Sequence, residues 1–284
     1  QRRHGVLGPA RPAVDSARAP FGRLLRQGRQ RAGLSQLTLA LQAEVSTRHL
    51  SWLETGRAQP SRAMVLRLAE RLAVPLRERN TWLQAAGYAP LFTERALADP
   101  ALAPGRAALE RQLSAHEPWP ALVVDRHWNL LAHNRPVALL LGAVAPALRE
   151  PPPNVLRLTL HPEGLAPMIE TLPAWRAHVR ARLARLATAS GDAVLQALHA
   201  ELSALPLPAG AAAAPDDTLP EHPVAVHLVL HTPWGRLSFL TTVTVFGAPH
   251  DLTLSELAIE TLLPADEATA LRLRQLQAAA TSGP

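Results

Sequence analysis

Apolar positions in the first third of the chain recur every three or four residues, the period of helices that bury one face. Phe21, Leu24, Leu25, Gly28 and Ala32 predict a first helix, with Arg23, Arg26 and Arg29 facing away. Gly33 should stop it, and Ser35 can cap the next helix by accepting a hydrogen bond from a free backbone N–H. Across 36–54, Leu39, Ala43, Val45, Leu50 and Leu53 point inward, with the small Ala40 where two short helices approach around a tight turn. After Gly56 and Pro60, Ser61 caps a fourth helix striped by Met64, Val65, Leu68 and Leu72. Pro75 suits the first turn of a fifth helix, where its missing N–H costs nothing, and Gly87 ends it.

The pattern changes after residue 92. Residues 93–117 read as a linker, with Pro100 and Pro104, followed by a connecting helix over 106–115. Glu117-Pro-Trp-Pro120 then opens a second domain, 118–284. Within 121–134 two short strands flank an Asp125-Arg126 turn, and Asn134 starts a helix that closes at Leu141-Gly142. Helices are predicted over 155–160, 165–170, 174–187 and 193–205. Two alternating strands follow, Val224, Val226, Leu228, Leu230 and then Leu237, Phe239, Thr241, Val243, Val245. Thr232-Pro-Trp-Gly235 between them is hairpin chemistry. Helices are expected again over 255–263 and 265–279, while the Ala- and Pro-rich stretch 206–220 carries no motif. The fold class is α+β, an all-α five-helix domain at 21–92 followed by an antiparallel sheet with helices.

Two short helices joined by a tight turn form a unit whose second helix can lie in the DNA major groove. On that helix Thr47, Arg48, Ser51 and Trp52 would face outward. Trp52 has two readings, packing against a thymine methyl or against the protein itself. Arg23, Arg26, Arg29 and Arg31 likewise fit a solvated face or phosphate contacts.

Charge points the same way. The net charge is +6, but 21–95 carries twelve Arg against five acidic residues, 1–20 carries four Arg and one Asp, and the remainder is acidic overall. A basic front end with an acidic body fits a nucleic-acid-binding head on another domain. The basic stretch 1–20, rich in Arg and Pro, is expected to be a disordered tail. Every basic residue is Arg; lysine is absent.

The first domain resembles the phage-repressor-type helix-turn-helix of the XRE family. The matching residues are Ser35-Gln36, Val45-Ser46, Leu53-Glu54-Thr55-Gly56-Arg57 and Pro60-Ser61. The resemblance implies that Gln36 holds a phosphate, Ser46 caps the recognition helix, and Thr47 and Arg48 reach base edges. Arg57 and Arg62 would sit near the backbone. One departure is Glu44, where the family usually has Gly in the turn. A left-handed backbone there would cost about 1–2 kcal/mol, and the carboxylate opposes phosphates. The complete apolar pattern keeps the DNA-binding assignment; Glu44 is the only hint of a third reading, a head that no longer binds DNA.

The second domain resembles the ligand-binding domain of MmyB-like transcription regulators. The resemblance rests on 121–131, Asn154-Val-Leu-Arg157, Leu160-His-Pro-Glu-Gly164, Trp175-Arg-Ala-His178, Leu237-Ser-Phe239, Thr244-Val-Phe-Gly247 and 254–265. It implies a PAS-like fold with an apolar pocket for a fatty acid or similar hydrophobic ligand. Such a guest needs a greasy slot and one cationic or hydrogen-bonding end. A slot between the sheet and the 174–187 helix, with Trp175 and Phe239 on its walls, would supply the first. Arg176 and Arg180, four residues apart on one helix face, or His161 and Asn134 at element boundaries, would supply the second. The competing reading makes Trp175 a core aromatic beside a satisfied Arg176.

Other chemistry finds little support. Without cysteine there are no disulfides or thiolate metal sites, which fits a reducing cytoplasm. The longest apolar run, 137–148, is interrupted by Gly142 and Pro146 and is too short to span a bilayer. His161-Pro-Glu163 mimics the His-x-Glu of zinc deaminases but lacks their cysteines, and His227 and His231 would lie ~13 Å apart on a strand. No P-loop, nucleophile elbow or dinucleotide fingerprint appears.

The sequence therefore predicts a cytoplasmic transcription regulator and no enzyme, without cofactor or membrane contact. It would bind a double-stranded operator as a homodimer and sense a small hydrophobic ligand. The alternative is a DNA-binding adaptor whose second domain only dimerises or binds a partner protein.

Overall fold

The computed structural model describes residues 19–206, 227–247, 249 and 251–281. The basic tail at 1–18, the insert, and Val224 and Val226 of the expected strand lie outside these residues. The chain divides into two compact units, with the boundary between Arg95 and Ala96.

The first unit is the expected bundle of five helices, α1 (Ala19–Arg31), α2 (Gln36–Gln42), α3 (Thr47–Glu54), α4 (Arg62–Arg71) and α5 (Leu76–Ala85). Serine hydroxyls cap α2, α3 and α4. Ser35 accepts from the Thr38 amide at 3.0 Å, Ser46 from His49 at 3.1 Å and Ser61 from Met64 at 3.2 Å. Gly33 ends α1 with φ 66°, and Pro75 sits one position before α5 rather than inside its first turn. The core gathers Phe21, Leu25, Leu39, Leu50, Leu53, Val65, Leu68 and Trp82. Helix α1 crosses α3 so closely that a Cβ on Gly22 would lie 2.5 Å from the Glu54 carbonyl oxygen. That approach fixes the end of α3 and hence the direction in which α3 projects.

The second unit is built on one antiparallel sheet of five strands. These are β1 (Ala121–Val124), β2 (Leu130–His133), β3 (His227–Thr232), β4 (Gly235–Val245) and β5 (Ala258–Pro264), in the order β2-β1-β5-β4-β3. Helix α6 (Ala103–Ala115) lays Leu109 and Leu113 against Ala121, Val123 and Ile259 on one face. The opposite face carries the larger core, under α7 (Arg135–Leu141), α8 (Val155–Leu160), α9 (Leu172–Ser190), α10 (Ala193–Ala204) and α12 (Glu267–Thr281).

One expectation fails outright. Residues 255–263 are not a helix: a single turn, α11 (Leu252–Ser255), is followed by β5, the central strand. Strand β5 is covered on both faces and buries Glu260 and Thr261 beside Ile259 and Leu262, so it lacks the apolar–polar alternation by which a half-buried strand is recognised. The expected helix at 165–170 shrinks to one 3-10 turn, Ala166–Met168. The hairpin at 232–235 forms as predicted, with Gly235 at φ 107°.

Candidate nucleic-acid interface and ligand cavities

The geometry of α3 is set from below by a buried carboxylate. Glu54, at the C-terminal end of α3, has no solvent-exposed side-chain surface. Arg29 Nε and Nη2 donate to its two oxygens at 2.6 and 3.0 Å, and Gln36 Nε2 donates at 2.8 Å. Arg26 lies 3.6 Å away and remains half exposed. Burial alone would raise the Glu54 carboxyl, but the bonds from Arg29 and Gln36 and the charges of Arg29 and Arg26 outweigh it and hold the group below its ordinary range. This network ties α1, α2 and α3 together.

The sequence reading missed it, and the assignment of Arg29 changes. Arg29 is neither solvated nor aimed at phosphate: it turns inward and also donates to the Leu34 carbonyl at 2.9 Å. Gln36, half-buried, donates one amide N–H to Glu54, so its side chain also braces the interface from within. Arg31, too, is held within the domain, by Glu78.

Residues expected on the outer face of α3 are there. Thr47 and Arg48 are exposed and Ser51 is half-buried. Trp52 is 36 % exposed, and the Arg48 guanidinium lies over its ring, 4.5 Å from the centroid. One side of the Trp52 ring is thus packed against the protein. It leans on the protein through Arg48 while leaving an aromatic edge outward, and it holds the Arg48 side chain near one orientation. Ser46 performs the capping expected of it, and Arg57 and Arg62 are both exposed. In the turn, Glu44 has φ 56°, the left-handed backbone for which glycine is usual. Its charge is exposed beside α3.

The second unit holds two cavities within its larger core. One is an apolar cleft partly open to solvent, with Leu139, Leu140, Leu237, Phe239, Leu273 and Leu276 among its walls; Glu117, Arg135 and Gln277 belong to its polar lining. The other, a small cleft, lies between α8, α9 and β5 and is lined by residues that include Trp128, Trp175, His178, Arg182 and Glu260. The predicted ligand residues divide among these places. Phe239 lines the first cavity and Trp175 the second.

The remaining four line neither. Asn134 is a buried structural link: its Oδ1 accepts from the Ala121 amide at 3.0 Å, and its Nδ2 donates to the Trp119 carbonyl at 2.8 Å. His161 Nδ1 accepts from the Glu163 amide at 3.1 Å. Arg176 donates to carbonyls at the end of α10, including Ser203 at 2.9 Å, and Arg180 donates to Ser203 Oγ at 3.1 Å. The face of α9 that meets the cavity is instead Trp175, His178, Val179, Arg182 and Leu183, the set that helical spacing places on one side.

Comparison with known proteins fits both halves. The MmyB-like transcription regulator ligand binding domain matches residues 106–276, well over half of the chain. The chain belongs to this family. A helix-turn-helix domain matches residues 20–82 in front of it. Among solved structures, the restriction-modification controller protein C.AhdI from Aeromonas hydrophila is 34 % identical. That match covers 22 % of this chain and 92 % of the other, with a TM-score of 0.21. The clp gene regulator ClgR from C. glutamicum is 28 % identical over 25 % of this chain and 88 % of its own, with a TM-score of 0.22. None of the curated proteins matches.

The MmyB-like chain is thus a DNA-binding helix-turn-helix regulator with a ligand-binding domain behind its head. Its families are those of transcription regulators rather than enzymes. Among the described residues, no helix is long and apolar enough to cross a membrane.

Proposed function

We propose that this regulator binds a double-stranded operator through Thr47, Arg48, Ser51 and Trp52, and that its second domain holds a small hydrophobic acid, of the fatty-acid class, in the apolar cavity. The observation that carries the reading is the make-up of that cavity. Its walls are aliphatic and aromatic side chains from α7, β4 and α12, and Arg135 supplies the positive charge a carboxylate head requires. Residues Arg57 and Arg62 flank α3 as phosphate contacts, while Gln36 acts through Glu54. Two copies would place two α3 helices on half-sites about one helical turn apart.

The ligand can move the DNA equilibrium only through unequal affinity for two states of the protein. The test is native mass spectrometry of freshly purified protein, followed by extraction of bound molecules and titration of decanoic acid. A fatty-acyl mass on a dimer, and a decanoate-dependent change in operator affinity, are expected. An empty dimer indifferent to decanoate would favour the adaptor that only dimerises or binds a partner protein.

A further inference from the structure

Arg48 and Trp52 stand one turn apart on the outer face of α3, with the guanidinium 4.5 Å from the ring centroid. Both are exposed, and Trp52 takes no part in the core of the head. Among the described residues the Arg48 side chain makes no hydrogen bond and no ion pair, so its fork of N–H donors is unspent. Arg26, Arg29 and Arg31 on α1, by contrast, all answer to carboxylates. Stacking occupies a face of the guanidinium and leaves free the edge on which the donors lie. The backbone beneath is fixed as well. The Trp52 carbonyl accepts from the Arg57 amide at 2.8 Å and the Ala58 amide at 3.2 Å, which ties the indole to the loop that carries Arg57. An aromatic side chain outside the core buries little area on folding and adds little to stability. Its place on the DNA-facing helix points to a contact outside the protein.

The chemistry of the two side chains restricts what they could meet. A phosphate is answered by the guanidinium alone and has no use for an indole beside it. In the major groove a guanidinium fork matches O6 and N7 of guanine, and apolar surface matches the C5 methyl of thymine. Residues four apart on a helix have Cβ atoms about 5–6 Å apart, and successive bases rise by about 3.4 Å. The two contacts therefore fall within two base steps of each other. Cytosine offers the same methyl only when it is methylated at C5.

We infer that Arg48 and Trp52 form one composite reader, which takes a guanine together with a C5-methylated pyrimidine, thymine or 5-methylcytosine, within two base steps. The inference rests on the reading of α3 as the helix that meets the bases, and it makes Trp52 a determinant of specificity.

The test uses the full chain and the half-site selected from random duplexes, remade with uracil in place of each thymine in turn, which removes only the methyl. The parent should lose roughly fourfold in affinity at one thymine, the worth of one buried methyl. That thymine should lie within two steps of a guanine whose replacement by 7-deazaguanine, which lacks the N7 acceptor, also weakens binding. A C·G pair at the thymine position should gain roughly fourfold when its cytosine is 5-methylated. Trp52→Ala, at an exposed position, should erase both methyl effects while keeping the melting temperature and the salt-dependent background. A half-site without such a thymine, or uracil binding as well as thymine throughout, would overturn the inference. So would the absence of a gain from 5-methylcytosine, or methyl effects of full size in Trp52→Ala. The uracil scan needs no variant and stands even if Trp52→Ala fails to fold. Failure to select any half-site would instead sink the reading of α3 on which the inference rests.

Discussion

Removing Glu54 should unlatch the head. The side chain is fully buried, and Arg29 beside it is only 12 % exposed. Glu54→Ala deletes the partner of three charge-assisted hydrogen bonds and leaves a guanidinium under cover with one remaining carbonyl acceptor, that of Leu34. Stripping one member from a buried pair of this kind costs about 3–5 kcal/mol, a large share of the roughly 5–15 kcal/mol that holds a domain folded. Replacing both members by apolar residues, as in Arg29→Met with Glu54→Leu, removes the stranded charge and should cost about 1 kcal/mol or less. The assay is native-state hydrogen exchange of α1 and α3 amides in the full chain, which reads opening of the head without requiring the second domain to melt. Acid should act in the same direction. The folded carboxyl lies below its unfolded value, so its stabilisation is complete above the unfolded pKa, about 4.3, and is lost as pH falls through the folded one. A single substitution costing under about 1 kcal/mol, with Arg29 swung into solvent, would refute the argument, because burial of the pair is what sets the magnitude.

Other consequences are measurable. Glu44→Gly relieves a left-handed backbone worth about 1–2 kcal/mol, offset in part by the greater freedom of glycine in the unfolded chain. The net gain should be about 0.5–1 kcal/mol in urea unfolding, with tighter operator binding at low salt; a loss of stability would contradict the strain. Asn134→Ala strands the Ala121 amide and should destabilise the second domain by about 1–3 kcal/mol. The protein that remains folded should bind decanoate normally, and lost affinity there would return Asn134 to the ligand site. Leu139 lines the apolar cavity and is 38 % exposed, so Leu139→Trp can fill the slot with little overpacking. Decanoate affinity should drop by roughly tenfold or more with the melting temperature nearly kept.

Much of this architecture was legible because local rules and tertiary packing agree. The caps at Ser35, Ser46 and Ser61 sit where a free amide needs a hydroxyl, and the apolar stripes of the first domain place every helix. The failures have physical causes. Strand β5 resembles a helix in sequence because a strand covered on both faces loses its alternation. Arg176 and Arg180 attracted attention as a cationic pair, yet Trp175, Val179 and Leu183 already define the inward face of α9, and the same spacing puts His178 and Arg182 there. Glu54 follows Leu53 in a region where acidic residues read as surface, and only the return of α1 across α3 shows what it holds. Asn134 starts a helix as expected, but its amide serves the neighbouring strand and loop, a long-range bond that no local pattern encodes.

Sequence reading by α3 is the central claim, and selection of duplexes from a random pool, repeated with Arg48→Ala, tests it most directly. The full chain should enrich a defined half-site. Arg48→Ala should lose preference at one position by about 1–3 kcal/mol, the worth of a good base contact, while keeping the salt-dependent background from Arg57 and Arg62. Recovery of the same site at the same strength by Arg48→Ala, or no enrichment at all by the parent, would contradict the account.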